Sequence, residues 1–235
     1  CLAYFDAPGV PDALDRVPLA TFEAGIDVLL AAPETDDGTV GVVGFSRGAE
    51  AALLTAARDD RVGAAMASVG SGYAFPAPTW MDGVDVERAA WTADGDPVPY
   101  VPVEGTGETD DEDFDDVATP CGGPRPFAAA SDATLDAATI PVERVDGPVL
   151  LVSGGADAIW HTGQPAAAAA DRLAAADRDW PDDHRHYPDA GHAIRVPYRE
   201  READPDDEHR LGGTHGANAR AAADAFRATV GTLRV

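Results

Sequence analysis

The stretch GVVGFSRGAEAALL, residues 41–54, changes character at its centre. Up to Phe45 it is apolar and β-branched without polar alternation, through Val40, Val42 and Val43. That is the pattern of a strand covered on both faces. From Arg47 to about Arg58 it is rich in Ala and Leu and reads as a helix. Gly44 and Gly48 flank Ser46 at two residues on either side. A strand that turns sharply into a helix needs glycine there, because side chains would collide as the two elements close. The turn lifts the Ser46 hydroxyl above the sheet. It also sets the Arg47 backbone N–H at a helix start, where it can donate to an oxyanion. G-x-S-x-G between an apolar strand and a helix is the nucleophile-elbow pattern. The competing reading is an inert turn serine. A serine alone cannot attack a carbonyl at neutral pH, so the rest of the chain must supply a base and an orienter for it.

Both are found downstream, in order. The strand Val149–Ser153 runs into Ser153-Gly154-Gly155-Ala156-Asp157. A short strand at 184–188 runs into Asp189-Ala190-Gly191-His192-Ala193. Asp157 and His192 thus each follow the C-terminal end of a strand, where an α/β sheet carries its active-site loops. The reading is Ser46 as nucleophile, His192 as its base, and Asp157 as the group that sets the His192 tautomer. Asp157 as a helix cap and His192 as a structural loop histidine are the alternatives. Asp189 is a rival acid, but three residues before His192 it is better explained as a turn former. His184 and His186 alternate on one strand face. They read as a metal pair or as strand packing, and the missing carboxylate or Cys partner favours packing. His161, His209 and His215 read as loop or cap residues, with His161 near enough to Asp157 to line its pocket. No metal and no cofactor is expected.

Around these motifs the chain alternates strand and helix. Residues 2–5 read as the end of a strand, and DAPGVPDALDRVP (6–18) as a loop. Residues 21–31 put Phe22, Ile26, Leu29 and Leu30 on one helical face, with Thr21 as cap. ETDDG (34–38) reads as a turn and Val62–Val69 as another apolar strand. An Ala-rich helix is expected at about 164–176 and a last helix at about 214–232. This pattern predicts an α/β fold, a mostly parallel sheet with helices on both faces. Residues 71–140 break it: Gly and Pro are frequent, and Trp80, Trp91 and Tyr100 are scattered among them. They read as an insertion or lid over the sheet. Within them EGTGETDDEDFDD (104–116) is a solvated acidic loop or a calcium loop; it lacks the ligand spacing of an EF-hand.

Bulk properties bound the partners. The chain has 235 residues, 45% of them hydrophobic, enough for one α/β domain. It carries 42 acidic and 17 basic residues, a formal charge of −25, and every basic residue is Arg. Such a surface repels nucleic acid and anionic lipid. It reads as the acidic coat of a salt-adapted cytoplasmic protein, or as a face for one basic partner. Cys1 and Cys121 make no disulfide framework, and no apolar run approaches a membrane span. The chain starts without Met inside the apolar run Cys1–Phe5, so the domain, taken as one unit over 1–235, is expected to lack its N-terminal strands here.

Five blocks carry a family resemblance: LAYFDAPGVPDALDRVPLATFEAGIDVLL (2–30), VGVVGFSRGAEAALL (40–54), IPVERVDGPVLLVSGGADAIW (140–160), YPDAGHAIRVPY (187–198) and GGTHGANARAAADAF (212–226). In this order they resemble the C-terminal catalytic domain shared by acyl-CoA thioesterases and bile acid-CoA:amino acid N-acyltransferases. The resemblance implies an α/β-hydrolase fold, also similar to dienelactone hydrolases, and a Ser/Cys–His–Asp triad falling on Ser46, His192 and Asp157. It implies a small acyl thioester as substrate and hydrolysis through an acyl-serine. The conjugating member uses cysteine, and a serine ester is less biased towards amine attack. A carboxylester or lactone substrate is the alternative, and a non-catalytic hydrolase-like binding module or an inactive fragment the second. The family's earlier strands, the loop with the second oxyanion donor and a β-sandwich domain have no counterpart in these residues, and the acidic insertion has none in the family.

Overall fold

Along the described chain the elements are β1 (Val17–Pro18), α1 (Ala20–Leu30), β2 (Val40–Phe45), α2 (Arg47–Ala56), β3 (Val62–Ser68), β4 (Trp91–Ala93), β5 (Asp96–Pro97), α3 (Asp132–Ala138), β6 (Val149–Gly154), α4 (Gly163–Ala175), β7 (Asp183–Tyr187) and α5 (His215–Thr232), strand alternating with helix outside β3–β5. The structure is a computed structural model and describes residues 1–35, 38–78, 87–102, 130–159, 162–195, 197 and 211–234. It has two units: Ile26–Gly72 with Ile140–Val235, and Cys1–Gly25 with Tyr73–Thr139.

The first of these holds a four-stranded sheet in the order β2-β3-β6-β7. Every pair in it is parallel, with Gly44 opposite Ala67, Ala67 opposite Leu151 and Ser153 opposite His186. Parallel neighbours need crossovers, and helices supply them: α2 between β2 and β3, α4 between β6 and β7. The two central strands are the most apolar and the most buried, β6 along its whole length. Met66, Val69, Leu150 and Val152 pack with Ala190, Ile194 and the α5 residues Ala221, Ala222 and Ala225. Alanines on α5 let that helix lie close to the sheet. The start of β6 is pinned by Arg178, which donates to the carbonyls of Val145 (2.6 Å) and Gly147 (2.7 Å) and pairs with Asp182 (2.9 Å). Asp182 in turn accepts from Val149 N–H at 2.9 Å.

Two expectations for this unit are corrected. β2 is an outer strand among the described residues, so Val43 is 57% exposed rather than covered. On α1, Ile26 is buried but Leu29 is 53% exposed, so the expected apolar face is only partly used.

The other unit holds a small sheet, β1 parallel to β4 and β4 antiparallel to β5. Asp94 (φ 54°) and Gly95 (φ 90°) turn the β4–β5 hairpin, both with the positive φ that a tight two-residue loop requires. Residues 2–5 form no strand. Instead Tyr4 stacks among Phe5, Phe22 and fully buried Trp91, with ring centroids 5.1–5.8 Å away. Ring contacts around buried Trp91 half-bury Tyr4 and Phe5 without strand pairing, while Leu2 stays 41% exposed. Thr21 is not a cap either: α1 starts at Ala20, and the Leu19 carbonyl takes the first helical bonds from Phe22 and Glu23 N–H. Trp80, Cys121, His161, His209, the acidic run 104–116 and part of the 34–38 turn lie outside the described residues.

Candidate active site

Ser46 sits between β2 and α2 with φ 54° and ψ −124°. A non-glycine residue rarely holds such a backbone, and the surroundings impose it. The strand and helix are so close that a Cβ on Gly44 would overlap the Gly48 carbonyl and the Ala49 backbone. α2 then runs inward and is buried from Ala49 onward. Glu50, fully buried on it, pairs with Arg47 at 2.8 Å, which offsets part of the cost of burying a carboxylate.

Because the sheet is parallel, the loops after β2, β6 and β7 share one edge, and Ser46, Asp157 and His192 lie on those three loops. His192 Nε2 is 3.0 Å from Ser46 Oγ, and His192 Nδ1 is 2.9 Å from Asp157 Oδ2. Asp157 and His192 are 2% and 4% exposed, so water does not compete for this pair. An ionised carboxylate only accepts, so the imidazole carries its proton on Nδ1 and offers a free lone pair at Nε2 to the Ser46 hydroxyl. That arrangement can take a proton from Ser46 and hold the resulting imidazolium against Asp157. Asp189 is exposed and does not occupy the place of Asp157.

The loop bearing His192 is tied at several points. His192 N–H donates to the Leu211 carbonyl (2.7 Å), Gly191 N–H to Asn218 Oδ1 (2.6 Å), and Asn218 Nδ2 to the Gly212 carbonyl (3.1 Å). Ser68, at the end of β3, donates to the Ile194 carbonyl at 3.0 Å. Phe45 meets the His192 ring edge-on at 5.3 Å, and Arg195 lies 4.8 Å over the Phe45 ring. Asn218, buried on α5, was missed by sequence reasoning. Its one sequence signal was a polar residue on the Ala face of an amphipathic helix.

Asp157 is held in turn. Its Oδ1 accepts from Ile159 N–H (2.8 Å), and Thr162 Oγ1 lies 3.2 Å from Oδ2. His184 and His186 are engaged elsewhere: His184 Nε2 and His186 Nδ1 share the Ser153 hydroxyl at 2.8 and 2.9 Å. Burial, then the neighbouring His186, hold the His184 pKa below the ordinary histidine value. Among the described residues no cluster of three or more His, Cys, Asp or Glu could hold a metal.

A parallel sheet wound with helices, with a strained serine between strand and helix and loop residues gathered at one sheet edge, defines the α/β-hydrolase fold. The chain belongs to the family described as BAAT / acyl-CoA thioester hydrolase C terminal, whose profile matches residues 17–233. It is 26% identical to the peroxisomal succinyl-coenzyme A thioesterase of Mus musculus and 29% identical to acyl-coenzyme A thioesterase 1 of Homo sapiens. Each match covers 84% of this chain but 42% of the relative, so the chain spans about two fifths of the relatives' length. Among solved structures it is similar to the dienelactone hydrolase-like promiscuous phosphotriesterase P91 from metagenomic libraries. That match has 15% identity and a TM-score of 0.45 over 91% of this chain and 61% of the other, a level at which nothing about chemistry carries over. No helix among the described residues is long and apolar enough to cross a membrane.

Proposed function

We propose that this chain hydrolyses acyl-CoA thioesters through an acyl-serine on Ser46. The observation that carries the reading is the hydrogen-bonded series Ser46–His192–Asp157, at 3.0 and 2.9 Å. The family, and the thioesterases named among its relatives, support the substrate class.

In the proposed reaction Ser46 Oγ attacks the thioester carbonyl carbon while its proton passes to His192 Nε2. The carbonyl oxygen becomes an oxyanion and takes a hydrogen bond from the Arg47 backbone N–H. The tetrahedral species collapses, the C–S bond breaks, and His192 returns its proton to the departing thiolate. His192 then removes a proton from water, and the hydroxide attacks the acyl-serine. Ser46 leaves with the proton from His192, and the free acid is released. Asp157 stabilises the imidazolium in both halves. An oxygen ester on Ser46 is less biased towards amine attack than a thioester on cysteine, which supports water as the acceptor. The same reading takes 1–235 as one catalytic domain with 71–140 as its insertion, and needs no cofactor.

The test uses the full-length protein, incubated with acyl-CoA of several chain lengths while free thiol is followed, and with p-nitrophenyl esters in parallel. The expected result is thiol release that Ser46→Ala abolishes together with fluorophosphonate labelling. His192→Ala should be nearly as damaging and Asp157→Asn somewhat less so. Ester cleavage without thiol release would make the substrate a carboxylester. Inertness to both substrates and to the probe would end the hydrolase reading.

A further inference from the structure

Thr162 stands where a helix cap belongs and does not cap. It is the residue before α4, and threonine there ordinarily accepts from an amide of the first helical turn. No such bond forms. The side chain is instead fully buried, with two partners. Gly154 N–H, at the end of β6, lies 3.2 Å from Thr162 Oγ1, and Asp157 Oδ2 lies 3.2 Å away on the other side. The direction of both bonds is forced. An N–H only donates and an ionised carboxylate only accepts, so the hydroxyl accepts from Gly154 and gives its single proton to Asp157. Oδ2 is the same oxygen that accepts from His192 Nδ1 at 2.9 Å.

We infer that Thr162 is a positioning residue, the group that ties the Asp157 carboxylate to the end of β6 and so orients His192 towards Ser46. Two consequences follow. With Ile159 N–H on Oδ1 and Thr162 on Oδ2, the carboxylate plane cannot rotate away from the imidazole. The hydroxyl also occupies one of the two acceptor directions of Oδ2, which leaves the His192 N–H a single direction of approach to that oxygen. A hydroxyl serving only to join α4 to β6 would affect stability but not the chemical step.

The inference rests on the proposed serine-hydrolase reading, and the experiment separates the two. Fluorophosphonate labelling rates, kcat and KM are measured on the full-length protein for wild type, Thr162→Val and Thr162→Ser, with a thermal melt of each. Thr162→Val keeps the shape and deletes the hydroxyl; it should lower kcat and the labelling rate roughly tenfold with KM within about twofold, since orientation acts on the chemical step. Thr162→Ser should restore most of the rate. Because Thr162 acts through Asp157, Thr162→Val should cost nothing further in an Asp157→Asn background. If Thr162→Val does not fold, Thr162→Cys, with its weak donor, takes its place under the same expectation. A folded Thr162→Val that labels as fast as wild type, or a loss that persists undiminished in Asp157→Asn, overturns the inference alone. A wild type that does not label overturns the serine reading and this inference with it.

Discussion

At Ser46 the backbone itself is the device. Its φ of 54° costs on the order of 1–3 kcal/mol, and the packing of β2 against α2 holds it there. Gly44 is the residue that permits this packing, because the atoms a Cβ would meet are Gly48 and Ala49 backbone, which cannot swing aside. Gly44→Ala should therefore destabilise the protein by about 1–3 kcal/mol, the range for forced overpacking, and slow Ser46 labelling. Gly231 on α5 is the control, since a Cβ there meets nothing within 4 Å. Gly231→Ala should be neutral or stabilising by up to about 1 kcal/mol, through helix propensity. Urea unfolding of both variants decides the point; a harmless Gly44→Ala would mean that the elbow is looser than this geometry.

Between elements, the β6–β7 pair carries a pH sensitivity. His184, Ser153 and His186 share one hydroxyl between two rings. The His184 pKa is lowered first by burial and then by His186, against the opposing pull of Asp183 and Asp171. A base with a depressed folded-state pKa takes up a proton more readily when unfolded, so the unfolded state binds more protons as pH falls. Stability from this group is intact well above the ordinary histidine value of 6.5. It declines as pH drops through that value and levels off below the folded-state pKa. His184→Gln should flatten this part of the pH profile in urea unfolding. An unchanged slope between about pH 8 and pH 5 would remove His184 as its source.

For the whole molecule the charge excess of −25 sets the response to salt. Arg61 pairs with Asp59 and Asp27, and Arg185 with Asp183 (2.6 Å) and Asp224 (3.1 Å). The exposed pairs of Arg185 contribute about 0–1 kcal/mol each and weaken when screened. With 42 acidic residues against 17 basic ones, repulsion among the carboxylates is the larger quantity. Screening shortens the reach of that repulsion from about 10 Å at 0.1 M salt to about 3 Å at 1 M. The melting temperature should therefore rise as potassium chloride increases over that range. A flat or falling series would show that the lost ion pairs outweigh the relieved repulsion.

The local and periodic features were legible before any coordinates. The apolar run to Phe45, the glycines around Ser46 and the Ala/Leu run after it dictate strand, turn and helix through contacts between near neighbours. Two further strand–loop junctions in the same sense put Asp157 and His192 on the edge that holds Ser46, since parallel strands all end on one side. Sequence did not decide what lies beside each element. Val43 reads like any core valine and is exposed, because its strand has a partner on one side only among the described residues. Residues 2–5 read like a strand and pack as rings against Phe22 and Trp91 instead. The polar contacts behind the site escaped for the same reason. Thr162 precedes a helix as any cap residue would, and Asn218 is one polar residue among alanines; only folding brings Gly154, Asp157 and Gly191 against them. Periodicity is a property of a segment and survives in any context. The partner of an edge, a ring or a hydroxyl is set by which distant residues arrive there, and only the tertiary structure decides that.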